Sequence, residues 1–250
     1  MTTYGLIGKT LGHSFSRQFF TDKFSREGTD GEYLNFELAD ISDFPTVFDG
    51  KEIGGLNVTI PYKQAVMPFL NDLSEEAKAI GAVNVIKIKG ESTHGTEGLH
   101  LTGYNTDVIG FTNSIRPLLK THHAKALVLG TGGASRAIKY GLKQLGIQVQ
   151  SVSRTKTDHT ITYDELTPEI MSDHTVIVNT TPLGTSPNVD TCPDIPYSLL
   201  TERHLLFDLV YNPSETLFLR QGREHGAQTK NGLEMLHLQA IAAWKIWNDR

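Results

Sequence analysis

The chain reads as an α/β protein in two parts, and three observations carry that reading. Leu127-Val128-Leu129 runs into Gly130-Thr131-Gly132-Gly133-Ala134, after which Ala137, Ile138 and Leu142 recur at helical spacing before a second strand-like stretch, Gln148–Ser153. A strand, a glycine turn, a helix and a strand within about 30 residues make a βαβ unit, whose parallel crossover is right-handed almost without exception. Upstream, Gly55-Leu56-Asn57-Val58-Thr59-Ile60-Pro61-Tyr62-Lys63 is a β-branched run that stops at a proline. Finally, short strand and helix patterns alternate along the chain, with no repeat at a fixed period and no low-complexity tract.

Taken in order, Tyr4–Gly8 is expected as a strand and Ser16–Arg26 as a helix with Phe19, Phe20 and Phe24 on one face. Strands follow at Tyr33–Leu38 and Gly55–Ile60. Pro61 cannot donate to a ladder, so the strand ends near it or a helix begins there. Gln64–Leu70 and Glu75–Ile80 have helical patterns, and Ala82–Lys89 and Leu99–Tyr104 read as strands flanking a polar hairpin loop. The second part opens with a helix over Asp107–Leu119, then strand Ala126–Leu129, the glycine turn and a helix over Ala134–Leu145. Strands at Gln148–Ser153, Val176–Asn179 and Leu205–Val210 follow. With that sheet complete by Val210, the terminal helix Leu233–Asn248, carrying Trp244 and Trp247, is expected to return to the first part. The expected domains are residues 1–105 joined by 232–250, and residues 106–231.

The 250 residues suffice for one large domain or two modest ones. Apolar residues make up 38 %, to which 23 glycines add, and charged residues only 20 %, which argues against a largely disordered chain. A net charge of −5 without a block of like charges speaks against nucleic-acid binding through a basic face. The one cysteine, Cys192, excludes an internal disulfide and a thiolate metal cluster. No apolar run approaches a membrane span. Met1-Thr2-Thr3-Tyr4-Gly5 has no basic stretch and leads into a strand, so no signal peptide and a cytoplasmic location are expected.

The chemistry concentrates at strand ends, where α/β folds bind ligands. In the glycine turn, Gly130 permits the tight bend, Gly132 lets backbone N–H groups reach a pyrophosphate, and the helix N-terminus adds partial positive charge. This is the context of a dinucleotide fingerprint, although Ser135 stands at the third glycine position. Gly130, Thr131, Gly132, Gly133 and Ala134 are the candidate cradle. The next strand ends at Ser153-Arg154-Thr155-Lys156, where an NAD enzyme would carry an acid; a serine and two bases suit a 2′-phosphate, or else form a solvated basic turn. Asp158 lies close by. Lys63 can donate a proton to the alkoxide that forms when a ketone is reduced, and Asp107 can hold its ammonium. Each also has a plain reading, a solvated lysine at a helix start and a helix cap. Ser14 and Ser16 offer two hydroxyls at a helix start, a carboxylate cradle or a plain cap. Gly8-Lys9-Thr10 only resembles the tail of a P-loop, because Thr3 stands where that loop requires glycine. Asn57-Val58-Thr59 and Asn179-Thr180-Thr181 match the glycosylation pattern without any sign of secretion. His122-His123 has no further ligand at metal spacing, so no metal is expected, and Cys192 has no catalytic setting.

Taken together these segments resemble shikimate dehydrogenase over nearly the whole chain. The resemblance rests on Ser14-x-Ser16, Gly55–Lys63, Gly81-Ala82-Val83-Asn84, Gly103-Tyr104-Asn105-Thr106-Asp107, Gly130–Ala134, Asn179-Thr180-Thr181-Pro182-Leu183-Gly184, Asp208-Leu209-Val210-Tyr211-Asn212-Pro213, Asn231-Gly232 and Gln239. It implies an N-terminal α/β substrate domain and a Rossmann-type, doubly wound NADP-binding domain. It also implies NADPH-dependent reduction of 3-dehydroshikimate to shikimate, on the way to chorismate and aromatic amino acids. By similarity, Ser14, Ser16 and Tyr211 would hold the substrate carboxylate. Asn57, Thr59, Asn84, Asp107 and Gln239 would hold ring hydroxyls. Lys63 paired with Asp107 would do the acid–base work. Ser153, Arg154, Thr155, Lys156, Thr180, Thr181, Pro182 and Gly232 would border the cofactor. The partners implied are a small-molecule substrate and, at most, a second copy of the chain. Ser16-Arg17 and Phe19-Phe20 depart from the family's usual Ser-Pro and His-Asn, and Asp158 stands at a position often basic. Two other readings stay open at this point: a quinate/shikimate dehydrogenase relative using NAD, against which Arg154 speaks, and a binding module without turnover, against which Lys63 speaks.

Overall fold

In a computed structural model that describes residues 1–12, 14–92 and 94–249, the chain forms two compact units, Met1–Thr106 with Gln239–Arg250, and Asp107–Leu238.

The first unit contains β1 (Thr2–Gly8), α1 (Phe15–Glu27), β2 (Gly31–Glu37), β3 (Ile53–Val58), α2 (Tyr62–Ala65), β4 (Asp72–Leu73), α3 (Glu75–Ile80), β5 (Val85–Gly90) and β6 (Leu99–Tyr104). They make one sheet in the order β2-β1-β3-β5-β6-β4. β1 lies parallel to both β2 and β3, whereas β3, β5 and β6 run antiparallel in turn. Helix α1 starts one residue earlier than its pattern predicts, because Ser14 caps it by accepting the Arg17 N–H at 3.2 Å; Gly28, at φ 64°, closes it. The helix expected over Gln64–Leu70 is instead a single turn followed by a 3₁₀ segment, Met67–Phe69, since Pro68 has no N–H to continue the α ladder.

One face of this sheet packs Ile7, Leu56, Val58 and Ile86 against Phe44, Phe48 and Tyr62. The other face packs Tyr4, Tyr33 and Val85 against Phe20 and Phe24 of α1 and against Ala243 and Trp247. The last two belong to the terminal helix α8 (Leu233–Asn248), whose residues from Gln239 onward lie in the first unit. Trp247 donates its indole N–H to the Ile86 carbonyl at 3.1 Å and sits against Gly55 of β3, where a Cβ would come within 2.3 Å of the ring.

The second unit begins with α4 (Asp107–Ile115) and continues through β7 (Lys125–Leu129), α5 (Gly133–Gln144), β8 (Gln148–Val152), β9 (Thr160–Ile161), α6 (Pro168–Asp173), β10 (Val176–Asn179), β11 (Leu205–Asp208), α7 (Leu217–Glu224) and β12 (Gln228–Lys230). Its six strands are all parallel in the order β12-β11-β10-β7-β8-β9. Ala126, Val128, Val176 and Val178 face α4 and α5, while Leu127, Leu129 and Ile177 face α6 and α7. Helices therefore cover both faces, and each strand reads as a continuous apolar run. The sheet is not complete at Val210: β12 adds a strand beyond it, in register with Leu205–Phe207. This edge strand has only three residues, two of them Gln228 and Lys230, so it carries no hydrophobic pattern to read. The helix over Asp107–Leu119 likewise passes into a 3₁₀ turn at Arg116–Leu118, around Pro117.

The Gly55–Trp247 approach makes a direct prediction. Gly55→Ala should push the ring off β3 and lower stability by about 1–3 kcal/mol, as overpacking does. Equilibrium urea unfolding measures this, and an unchanged midpoint would show that the contact is slack.

Candidate active site

In the first unit the polar groups gather beyond the carboxyl ends of β1 and β3. Thr59 leaves β3 with its N–H on the Ile7 carbonyl at 2.9 Å. The Tyr33 hydroxyl donates to Asn57 Oδ1 at 2.8 Å, so the Asn57 amide presents its nitrogen, which reaches the Asn84 carbonyl only at 3.4 Å. Burial holds the Tyr33 phenol far above its ordinary value and keeps it a neutral donor; Ser16 is the nearby hydroxyl that opposes this. Asn84 is buried: its Oδ1 accepts the Thr106 N–H at 2.7 Å and its Nδ2 donates one proton to Thr106 Oγ1 at 3.1 Å, fixing the chain just before Asp107. Lys63 is the second residue of α2 and half-buried, and its own carbonyl accepts the Val83 N–H at 2.7 Å. Ser14 caps α1, Ser16 lies in its first turn, and Gln239 is half-buried on α8.

In the second unit Asp107 is the buried first residue of α4, inside the helix rather than preceding it. The glycine turn sits where the strand order reverses between β7 and β10. Gly130 has φ 101°, and a Cβ there would meet Thr180 Oγ1 and Thr181 Cγ2 at 3.0 Å. No side chain caps α5 at Gly132, and a Cβ at Gly132 or Gly133 would meet nothing within 4 Å. Thr131 is exposed and Ala134 half-buried in the same turn. Open backbone at an uncapped helix start fits a dinucleotide pyrophosphate. Thr180 closes the facing turn with its N–H and hydroxyl on the Leu129 carbonyl, at 3.0 and 2.6 Å, and Pro182 follows in that turn.

At the end of β8, Ser153 Oγ accepts the Thr155 N–H at 3.3 Å, and Arg154 is exposed near Tyr163. The Lys156 ammonium pairs with Glu165, and that bond with those from Thr162 lowers the Glu165 carboxyl to about 2. Arg154 is therefore the base of this turn not paired with a carboxylate among the described contacts. Tyr211 is 36 % exposed, and partial burial raises its phenol. Gly232 donates to the Val210 carbonyl at 3.1 Å, and a Cβ there would lie 2.2 Å from the Leu209 carbonyl oxygen. Among the described residues no cluster of histidine, cysteine or carboxylate could hold a metal, and no helix is long and apolar enough to cross a membrane.

Tyr33, Asn179 and Asp208 carry no role predicted from the sequence. Asn179 and Asp208 are fully buried and joined at 2.9 Å. Their signal was present: each is a polar residue at the last position of a continuous apolar strand, Val176–Asn179 and Leu205–Asp208.

A fully parallel, doubly wound sheet with a glycine cradle at its reversal, in one chain with a mixed α/β unit bearing lysine, asparagines and serines at its strand ends, defines a two-domain nucleotide-dependent α/β protein. The profile described as the shikimate dehydrogenase substrate binding domain matches residues 6–86. A shikimate dehydrogenase (NADP(+)) of Clostridium beijerinckii is 36 % identical over 264 residues, spanning 100 % of this chain and 93 % of the relative. The shikimate dehydrogenase 1 of Peptoclostridium difficile superposes with a TM-score of 0.84 at 38 % identity, over 100 % of this chain and 92 % of that one. The shikimate 5-dehydrogenase of Thermus thermophilus, solved in complex with NADP(H) and shikimate, gives 0.84 at 29 % identity, over 100 % and 94 %. The chain belongs to the shikimate dehydrogenase family of NADP-dependent oxidoreductases.

Burial raises the Asp208 carboxyl from 3.8 to about 6, against the pull of donors from Thr216, Val210 and Asn179. A folded-state value above the unfolded one makes a contribution that is full below pH 4 and is lost as pH rises through 6. Wild type should thus lose about 3 kcal/mol in all relative to Asp208→Asn as pH rises from 3 to 7, about 2 kcal/mol of it between pH 4 and pH 6. Chemical denaturation of both proteins across that range measures it, and a constant difference would mean that Asp208 does not titrate there.

Proposed function

We propose that this protein interconverts 3-dehydroshikimate and shikimate with NADPH and NADP⁺. Residues 1–105 with 232–250 supply most of the substrate site, and residues 106–231 most of the cofactor site. The observation that carries the reading is that Lys63, Asn57, Thr59 and Asn84 lie around the end of β3 and the adjoining start of β5, in a chain akin to shikimate dehydrogenases over its whole length. The cytoplasm is the proposed compartment, and the working form is a monomer or a homodimer.

NADPH, when bound, supplies a hydride to the carbonyl carbon. Lys63 gives a proton to the oxygen that becomes the hydroxyl, and takes one back in the reverse direction. Asp107, the buried first residue of α4, is the second group assigned to this acid–base chemistry. Because Tyr33 occupies Asn57 Oδ1, Asn57 serves as a donor to a ring hydroxyl; Thr59, Asn84 and Gln239 hold the others. Ser14 can cap α1 and bind carboxylate at once, since its oxygen accepts from Arg17 while its O–H remains to donate. Ser16 and Tyr211 are the further hydroxyls assigned to binding that carboxylate.

The backbone of Gly130, Thr131, Gly132, Gly133 and Ala134 receives the pyrophosphate. Arg154 receives the 2′-phosphate through its planar fork of donors. Ser153, Thr155 and Lys156 complete that pocket, with the Lys156 charge shared with Glu165. Thr180, Thr181, Pro182 and Gly232 border the rest of the cofactor.

Shikimate-dependent reduction of NADP⁺, followed by the absorbance of reduced nicotinamide, tests the reading; purified protein that gives no shikimate-dependent signal overturns it. Lys63→Ala should lower kcat by roughly 10²–10⁴-fold, the range of a lost acid–base group, with a much smaller change in shikimate Kd. A near-normal kcat at saturating shikimate would remove Lys63 from the chemistry. Arg154→Ala should raise KM for NADP⁺ by about tenfold, the cost of one charge-assisted bond, and leave KM for NAD⁺ nearly unchanged. Equal rises for both cofactors would make Arg154 a solvated turn residue.

A further inference from the structure

Asp208 has no part in the mechanism above, yet it is the most completely buried carboxylate of the second unit among the described residues, with no exposure at all. Its three partners all donate: Asn179 Nδ2 at 2.9 Å and the Val210 N–H at 3.0 Å to Oδ1, and the Thr216 hydroxyl at 2.6 Å to Oδ2. A set made only of donors is satisfied by the ionised form. Burial pushes the carboxyl up to about 6, so at neutral pH the protein keeps this charge against its desolvation. Packing alone does not require a charge there, and buried charges held at such a cost concentrate at functional sites.

The bonds lead outward in two directions. Holding the Asn179 nitrogen determines which way that amide faces: Oδ1 is turned to Thr181, accepting its N–H at 3.0 Å and its hydroxyl at 2.7 Å. Thr181 Oγ1 in turn accepts the Leu183 N–H at 3.3 Å. On the other side, Val210, held by its N–H, accepts the Gly232 N–H at 3.1 Å, with the Leu209 carbonyl packed against Gly232.

We propose that Asp208 is a positioning residue for the dinucleotide: through Asn179 it sets the Thr180–Leu183 turn, and through Val210 it sets the backbone at Gly232. The proposal rests on the reading of Thr180, Thr181, Pro182 and Gly232 as cofactor residues. A released Asn179 amide can flip, present its NH₂ to the Thr181 N–H, and dissolve the turn without disturbing the apolar core around it.

The test uses calorimetric titration of the full-length protein with NADP⁺ and, separately, with shikimate, alongside the melting temperature. Asp208→Asn should weaken NADP⁺ binding about tenfold, the cost of one charge-assisted bond, and leave shikimate Kd within about twofold. Thr181→Val should weaken NADP⁺ too, and the double variant should be little worse than the weaker single, because both act through one chain of bonds. Multiplicative effects in the double variant, equal losses for both ligands, or a lowered melting temperature with unaltered NADP⁺ Kd would each overturn the proposal. Should Asp208→Asn not fold, Asn179→Ala leaves Asp208 its bonds to Thr216 and Val210 and gives the same readings. Wild type that binds NADP⁺ and oxidises shikimate while the variants bind NADP⁺ equally well sinks the Asp208 proposal alone. Wild type that binds no NADP⁺ sinks the functional reading and this proposal with it.

Discussion

The second unit depends on one constraint: β7 and β10 lie side by side and parallel, while the chain winds away from them in opposite directions. Parallel neighbours require crossovers, so each strand delivers its carboxyl end to the same edge of the sheet. At the reversal no crossover covers that edge, which leaves the turns after Leu129 and Asn179 facing each other. The atoms there are set tightly. Thr180 satisfies the Leu129 carbonyl twice, and Gly130, at φ 101°, would hold a Cβ only in tight contact with Thr180 and Thr181. The apolar strands supply the rigidity, through Ala126, Val128, Val176 and Val178 on one face and Leu127, Leu129 and Ile177 on the other. Small changes in that packing would move both turns together.

The first unit reaches the same end by other means. Its sheet is mixed: β2, β1, β3, β6 and β4 aim their carboxyl ends the same way, and β5 runs against them. Orientation of the polar groups then comes from side chains: Tyr33 turns Asn57, and Asn84 pins Thr106. Both devices rest on burial, which makes each unmade hydrogen bond expensive and so selects one arrangement. The aromatic packing of Tyr4, Phe20, Phe24 and Trp247 holds α1 and the end of α8 on the face that carries Tyr33, so the positioning of Asn57 descends from that cluster.

What could be read from the sequence follows from how much physics is local. The strand at Val176–Asn179 and the helices at Glu75–Ile80 and Leu233–Asn248 were legible to the residue, because apolar runs, a serine cap and a glycine stop are local signals. Strands β4, β9 and β12, of two or three residues, were not, since their pairing is decided by neighbours far away in sequence. Prolines 68 and 117 ended helices earlier than hydrophobic periodicity implied. At the candidate site, residue types at strand ends marked Asn57, Lys63 and the Gly130 turn. A polar residue closing an apolar strand marks Asn179 and Asp208, but their roles, like that of Tyr33, lie in partners 29, 8 and 24 positions away, which only the folded chain supplies.

Hydrogen–deuterium exchange with and without saturating NADP⁺ tests the central claim, that the two facing turns of the parallel sheet form the cofactor cradle. The account predicts new protection confined to residues 130–135, 153–156, 180–183 and the backbone around Gly232, with the first sheet's strands unchanged. Protection absent from the Gly130 turn, or concentrated elsewhere in the chain, would contradict it.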